Sequence, residues 1–215
     1  MANLSAVLTG DFIGSTDAAS ERLANSMAVL AKEAGIIGDA IDHDTRFTRF
    51  RGDGWQIHLP HPRHFLWVTV YLNAVLRSDP ELCLNSRIAI GLGQTDSLGT
   101  TNLSDASGSA FVHSGRALDD TMVLGQIIAL EGEGTDGIQR SAIAFVDNLI
   151  TNWSPEQAEV VTLDLSPGPM TQAEMAAILG ISRQAVGARL HAAGGRLMRK
   201  VLDAFFNHDW QNPDV

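Results

Sequence analysis

Two acids, Asp11 and Asp53, are the residues on which chemistry could be built. Asp11 closes the apolar run of "AVLTGDFIGSTDAA" and is followed at once by Phe12, Ile13, Gly14, Ser15 and Thr16, while Asp53 stands between Gly52 and Gly54. Carboxylates are hard oxygen ligands suited to Mg²⁺ or Mn²⁺. A turn running into a helix N-terminus offers backbone N–H groups to phosphate. Together they are the parts of a nucleoside triphosphate site. Both patterns also occur in ordinary turns, where Asp and Gly serve only the backbone.

The elements that must hold these residues follow from periodicity. Leu4 to Thr9 reads as a buried strand. From Ala18 to Ala34, the residues Leu23, Met27, Leu30 and Ala34 form the apolar stripe of a helix, with Gly35 as its stop. "TRFTRFRGDGWQIHL" reads as two strands about a tight turn, which puts Asp53 at a hairpin tip. Laid beside the first strand, that hairpin would bring both carboxylates to one edge of a sheet. A helix fits Pro62 to Arg77, and "SRIAIGLGQ" is a second buried strand. The polar "TDSLGTTNLSDASGSA" is a surface loop leading to a short helix over Phe111 to Leu118, and "MVLGQIIALEG" supplies a last strand. The expected fold is α+β, a mixed sheet covered by helices over residues 1–135. Residues 136–152 are expected to form a connecting helix and residues 153–215 a small all-α unit. Trp55 and Trp67 are expected in the core. His58, His61 and His64 recur at metal-like spacing, but Pro60 and Pro62 interrupt any regular face.

The last quarter carries a different signal. Ser154 and Gln157, then Thr171 and Glu174, have capping-box spacing, and Pro155 suits a first helical position. Gly180 ends the helix of "MAAILG", and Ser182 caps another expected to run through "SRQAVGARLHAAGGRLMRKVLDAFF". Helix, four-residue turn and helix outline a helix-turn-helix, with Ala176, Ile181 and Val186 as the small and apolar crossing positions. Ser182, Arg183, Gln184, Gly187 and Arg189 are the candidate contacts to double-stranded DNA, since Arg and Gln read base edges and phosphates. Between Thr171 and Val201 stand five basic residues (Arg183, Arg189, Arg196, Arg199, Lys200) and one acid, Glu174. The competing reading is a helical bundle with solvated arginines.

The whole chain of 215 residues has a formal net charge of -10, so any attraction to polyanions must come from a local patch. Its 45% hydrophobic and 19% charged residues are ordinary globular values. A single cysteine, Cys83, excludes an internal disulfide and a thiolate zinc cluster. No apolar stretch approaches a membrane span of about 20 residues. A soluble, cytoplasmic protein without a membrane partner is expected.

"GDFIGST", "RFRGDGWQI", "RIAIGLG" and "GSAFVHSGRAL" resemble, in order and approximate spacing, four motifs of class III nucleotide cyclases. "LSPGPMTQAEMAAILGISRQAVGARLHAAGGRL" is similar to region four of bacterial sigma factors and to LuxR-type helix-turn-helix domains. As a whole the chain resembles the SatD family, a cyclase-like, ferredoxin-like domain followed by a helix-turn-helix. The resemblance implies that Asp11 and Asp53 are catalytic metal ligands for Mg²⁺ or Mn²⁺, and that Phe12 to Thr16 form the phosphate turn. It further implies that Arg116 stabilises phosphate charge, and that Arg49 and Ser109 lie near the base-selecting positions. Where those cyclases carry a ribose-orienting asparagine, this chain has Val112, with His113 beside it. It implies, finally, a head-to-tail homodimer. The function expected is a DNA-binding transcriptional regulator responsive to a nucleotide or cyclic nucleotide. The alternative is an active cyclase that turns ATP or GTP into a cyclic nucleotide.

Overall fold

The computed structural model describes residues 4–50, 52–168 and 170–210; the expected all-α unit's residues 211–215 lie outside the described residues. Its sheet is five-stranded in the order β2-β3-β1-β4-β5. The strands are β1 (Ser5–Phe12), β2 (Thr48–Phe50), β3 (Gly54–Leu59), β4 (Ser86–Gly93) and β5 (Ile128–Gly132). Central β1 is antiparallel to β3 and β4, whereas β5 runs parallel to β4. The expected order of strand, helix, hairpin, helix, strand, helix, strand is the order observed.

Strand alternation divides the sheet into unlike faces. Ala6, Leu8 and Phe12 of β1, with Trp55, Ile57 and Leu59 of β3 and Ile88, Ile90 and Leu92 of β4, belong to the main core. Helices α1 (Ser20–Ile41) and α2 (Phe65–Ser78), the latter entered through a 3₁₀ turn at Pro62–His64, contribute Leu30, Ile37, Phe65 and Leu72 to it. Trp55 is fully buried over Gly10, where a Cβ would lie 2.4 Å from the indole. The opposite face carries Thr9, Asp11, Gln56, Arg87 and Gly91 in register. It is covered by α3 (Ser109–Leu124), whose Ser114 hydroxyl lies 2.8 Å from that of Thr9.

Two helices outrun their expected ends. Instead of stopping at Gly35, α1 continues to Ile41, because Ile37 and Gly38 prolong the buried stripe and offset a glycine cost of about 1 kcal/mol. Helix α3 runs six residues past Leu118 to Leu124, which leaves only Ile128–Gly132 as the last strand.

The C-terminal helices are α4 (Gly137–Thr151), α5 (Pro155–Leu165), α6 (Gln172–Leu179), α7 (Arg183–Ala192) and α8 (Gly195–Asn207). Both expected capping boxes are formed, at Ser154/Gln157 and Thr171/Glu174. The single long helix expected after Ser182 is instead two, α7 and α8. Gly194 breaks it at φ 74°, and the Trp153 indole holds the Ala193 carbonyl at 2.8 Å. Trp153, Val161, Leu165, Met198, Leu202 and Phe205 join the same core as the sheet. Trp67, half-buried as a core residue at this seam, donates its indole N–H to the Leu165 carbonyl at 2.9 Å. Phe65 meets Phe205 edge-on at 5.7 Å. Among the described residues, no helix is long and apolar enough to cross a membrane.

Candidate functional site

Register builds the acidic edge. Asp11 lies opposite Gly54 on β3, so the tip residue Asp53 is its close neighbour, and opposite Arg87 on β4. The Arg87 guanidinium grips Asp11 with both arms, Nε to Oδ1 at 2.8 Å and Nη2 to Oδ2 at 2.6 Å. Each side chain is 21% exposed, so the pair is only partly screened by water. The hydrogen bond to Asp11, reinforced by attraction to Asp11 and Asp53, raises the Arg87 pKa above its ordinary value. The Ser15 hydroxyl donates to Oδ2 of Asp53.

The turn from Ile13 is shaped by the protein itself. Phe12 is buried in the core, the Ile13 N–H is bonded to the Asn85 carbonyl at 2.8 Å, and the Asp17 N–H closes back on Gly14, which has φ 72°. Thr16 is exposed. Because that turn closes on itself, α1 begins only at Ser20, with no side chain capping its end. The expected direct passage from phosphate turn to helix N-terminus is therefore corrected to a separate turn and a later helix.

A divalent ion does not fit this arrangement as it stands. Both Asp11 oxygens are committed to Arg87, and among the described residues no group of three or more acidic, imidazole or thiol side chains is placed to hold a metal ion. Arg87 is the counter-charge at this edge. Sequence reasoning passed over it, although an arginine beside the apolar run "IAIGLG" is a legible signal of a charged partner on a neighbouring strand.

The remaining candidates of the sheet unit do not converge on Asp11 and Asp53 within one chain. Arg116 lines a cleft of about 540 Å³ with His113, Asp120, Glu131 and Glu133. Glu131 pairs with Gly91, four steps along β4 from Arg87, or about 13 Å. His113 is held by the Leu92 carbonyl, 2.8 Å from Nδ1, and Val112 is 51% exposed. Ser109 belongs to the same far end, accepting from the Gln94 N–H at 2.9 Å and donating to Glu133 at 2.7 Å. Arg49 sits by the acidic edge, where its Nε donates to the Gly52 carbonyl at 2.7 Å and braces the hairpin.

Of the three spaced histidines, His58 and His64 go separate ways. His64 packs against Trp67 and Phe206, whereas His58 is buried beside His43, with ring centroids 5.6 Å apart. Neither ring nitrogen of His58 has a hydrogen-bond partner among the described residues. Burial, then the proximity of His43 and Arg46, lowers its pKa from 6.5 to about 4.

The helix-turn-helix is a compact unit in which Met175, Ala176 and Val186 are buried together and Ile181 packs beside them. Three residues, Gly180 to Ser182, separate the helices, and Gly180 takes φ 64°. The Ser182 hydroxyl accepts from the Ala185 N–H at 3.1 Å, so this serine fixes the start of α7. Arg183 and Gln184 are exposed, and their side chains make no hydrogen bond or ion pair among the described residues. Arg189 is turned toward α5 and pairs with Glu159 at 3.2 Å. Gly187 faces Gln172 of α6.

No protein-family model matches the chain, and a search of curated proteins finds no match.

Proposed function

We propose that the chain is a DNA-binding transcriptional regulator whose sheet unit binds a nucleotide or cyclic nucleotide at the edge formed by Asp11, Ser15, Asp53 and Arg87. One observation carries this reading. The N-terminal turn of α7 offers Arg183 and Gln184 to solvent, while the helices behind it share one hydrophobic core with the sheet. Exposed Arg and Gln at the start of a second helix suit a major groove. A shared core lets a change at the sheet bias the position of that helix.

At the acidic edge, an anionic phosphate group competes with Asp11 for Arg87. The hairpin tip continues through β3 into the 3₁₀ turn, where His64 meets Phe206 of α8 at 5.6 Å and the Arg63 guanidinium lies 5.7 Å from the same ring. Ligand alters DNA affinity only to the extent that it binds one arrangement of these contacts better than another. A homodimer arranged head to tail would bring Arg116 of one chain to the acidic edge of the other. It would also present two recognition helices to two half-sites.

Selection from a pool of randomised duplexes, followed by affinity measurements with and without nucleoside triphosphates and their cyclic monophosphates, tests the reading. Enrichment of a sequence whose affinity shifts with one of these ligands is expected. Absence of any enriched sequence would overturn it. The juxtaposition of Asp11 and Asp53 favours a second reading, a cyclase acting on ATP or GTP, while Val112 and the Asp11–Arg87 pair weigh against it. Cyclic product formed with Mn²⁺ and abolished by Asp11→Asn would establish that alternative.

A further inference from the structure

We infer that a cleft between α7 and α8 clamps a DNA backbone phosphate through Arg196 and Lys200, an inference that rests on the DNA-binding reading above. The cleft holds about 420 Å³ and is lined on one side by Gly187 and His191 of α7, and on the other by Arg196, Arg199 and Lys200 of α8. Gln172, the first residue of α6, also lines it. Gly187 and His191 follow Arg183 and Gln184 along α7 at helical spacing, so the cleft continues the surface assigned to the major groove.

Two of the three cations lining this cleft are not spent internally. Arg199 is bound to Asp164 at 2.6 Å, which neutralises that pair. The exposed side chains of Arg196 and Lys200 make no hydrogen bond or ion pair among the described residues. Asp203 is the other acid of the lining and lies three residues beyond Lys200, toward the far end of α8. The N-terminus of α8 opens into the same cleft at Gly195 and Arg196, and no side chain caps it. Its unsatisfied amides and dipole favour an anion there.

Gly187 is an independent pointer. A Cβ at this position would meet only the Gln172 Oε1, at an ordinary 3.6 Å, so the crossing of α6 and α7 does not demand glycine. A glycine within a helix is intrinsically unfavourable. Its effect here is to keep the wall of the cleft open beside the basic groups.

The occupant is taken to be the phosphodiester backbone because the cleft adjoins the recognition surface, and a major groove is flanked by phosphates on both sides. The test measures binding of the full chain to a mixed-sequence duplex several helical turns long, across a series of salt concentrations. Arg196→Gln and Lys200→Gln should each reduce the slope of log affinity against log salt by about 0.9, the loss of one phosphate contact, with relative sequence preference unchanged. Arg140→Gln removes the same charge from α4, outside the cleft, and should leave the slope as it was. Circular dichroism of each variant checks that α8 is intact.

Unchanged slopes in the cleft variants, with the wild-type chain still binding DNA, would overturn the clamp and leave the DNA-binding reading standing. A changed base preference at constant slope would do the same by assigning these residues to base reading. Inorganic phosphate bound in an Arg196-dependent way with no effect of either variant on the DNA slope would also overturn it, making this a small-anion site. No duplex binding by the wild-type chain, even at low salt, would overturn both.

Discussion

Replacing Arg87 with methionine tests most directly what the acidic edge is. The substitution keeps much of the aliphatic stem and removes the guanidinium that grips Asp11. Exposed ion pairs contribute about 0–1 kcal/mol, and breaking a fully buried pair costs about 3–5 kcal/mol. At 21% exposure on both sides and with two charge-assisted hydrogen bonds, the Asp11–Arg87 coupling should fall between them, at about 2 kcal/mol. A double-mutant cycle with Asp11→Asn, followed by urea denaturation at low ionic strength, isolates that term. Arg87→Met alone should lower Tm by on the order of 6 °C, since about 1 kcal/mol shifts a domain of this size by about 2–4 °C. The same variant should regain stability in Mn²⁺, because the freed carboxylates then bind the ion and binding to the native state stabilises it. A coupling energy below about 0.5 kcal/mol would refute the reasoning. So would a Mn²⁺ upshift equally large in the wild-type chain, since a metal would then hold Asp11 despite Arg87.

Two further outcomes concern residues away from that edge. His58 has a pKa lowered from 6.5 to about 4, so between those values the unfolded chain takes up a proton that the folded chain refuses. Stability should therefore be unaffected by this group above about pH 6.5, fall by up to about 3 kcal/mol as pH drops to about 4, and change no further below it. Denaturation across this range should show that loss in the wild-type chain and its absence in His58→Gln. At Gly187, alanine should raise stability by about 0.5–1 kcal/mol, since its Cβ finds ordinary contact distance and helix propensity improves. A lowered Tm for Gly187→Ala would show that α6 crosses α7 more closely than described.

The elements legible in the sequence are those whose causes are local. Ser154 with Gln157, and Thr171 with Glu174, mark helix starts because each capping hydrogen bond spans only three residues. Gly180 marked a helix end correctly, since only a left-handed residue closes the chain so tightly there. Gly35 marked one wrongly. Its own helix cost is small beside the burial of Ile37 further along. The break at Gly194 was equally obscure beforehand, because it depends on Trp153 reaching Ala193 from forty residues away.

From sequence alone, then, came the order of elements, the hairpin that carries Asp53 and the helix-turn-helix with Arg183 and Gln184 at its exposed start. Each rests on periodicity, turn chemistry or capping within a few residues. Only the tertiary structure decided that Arg87 closes on Asp11 across 76 residues of chain, that Arg116 stands away from the acidic edge, and that one core joins the sheet to the helices behind α7. Those outcomes depend on strand register and on which faces pack. A single step of register would have sent Arg87 to the other side of the sheet.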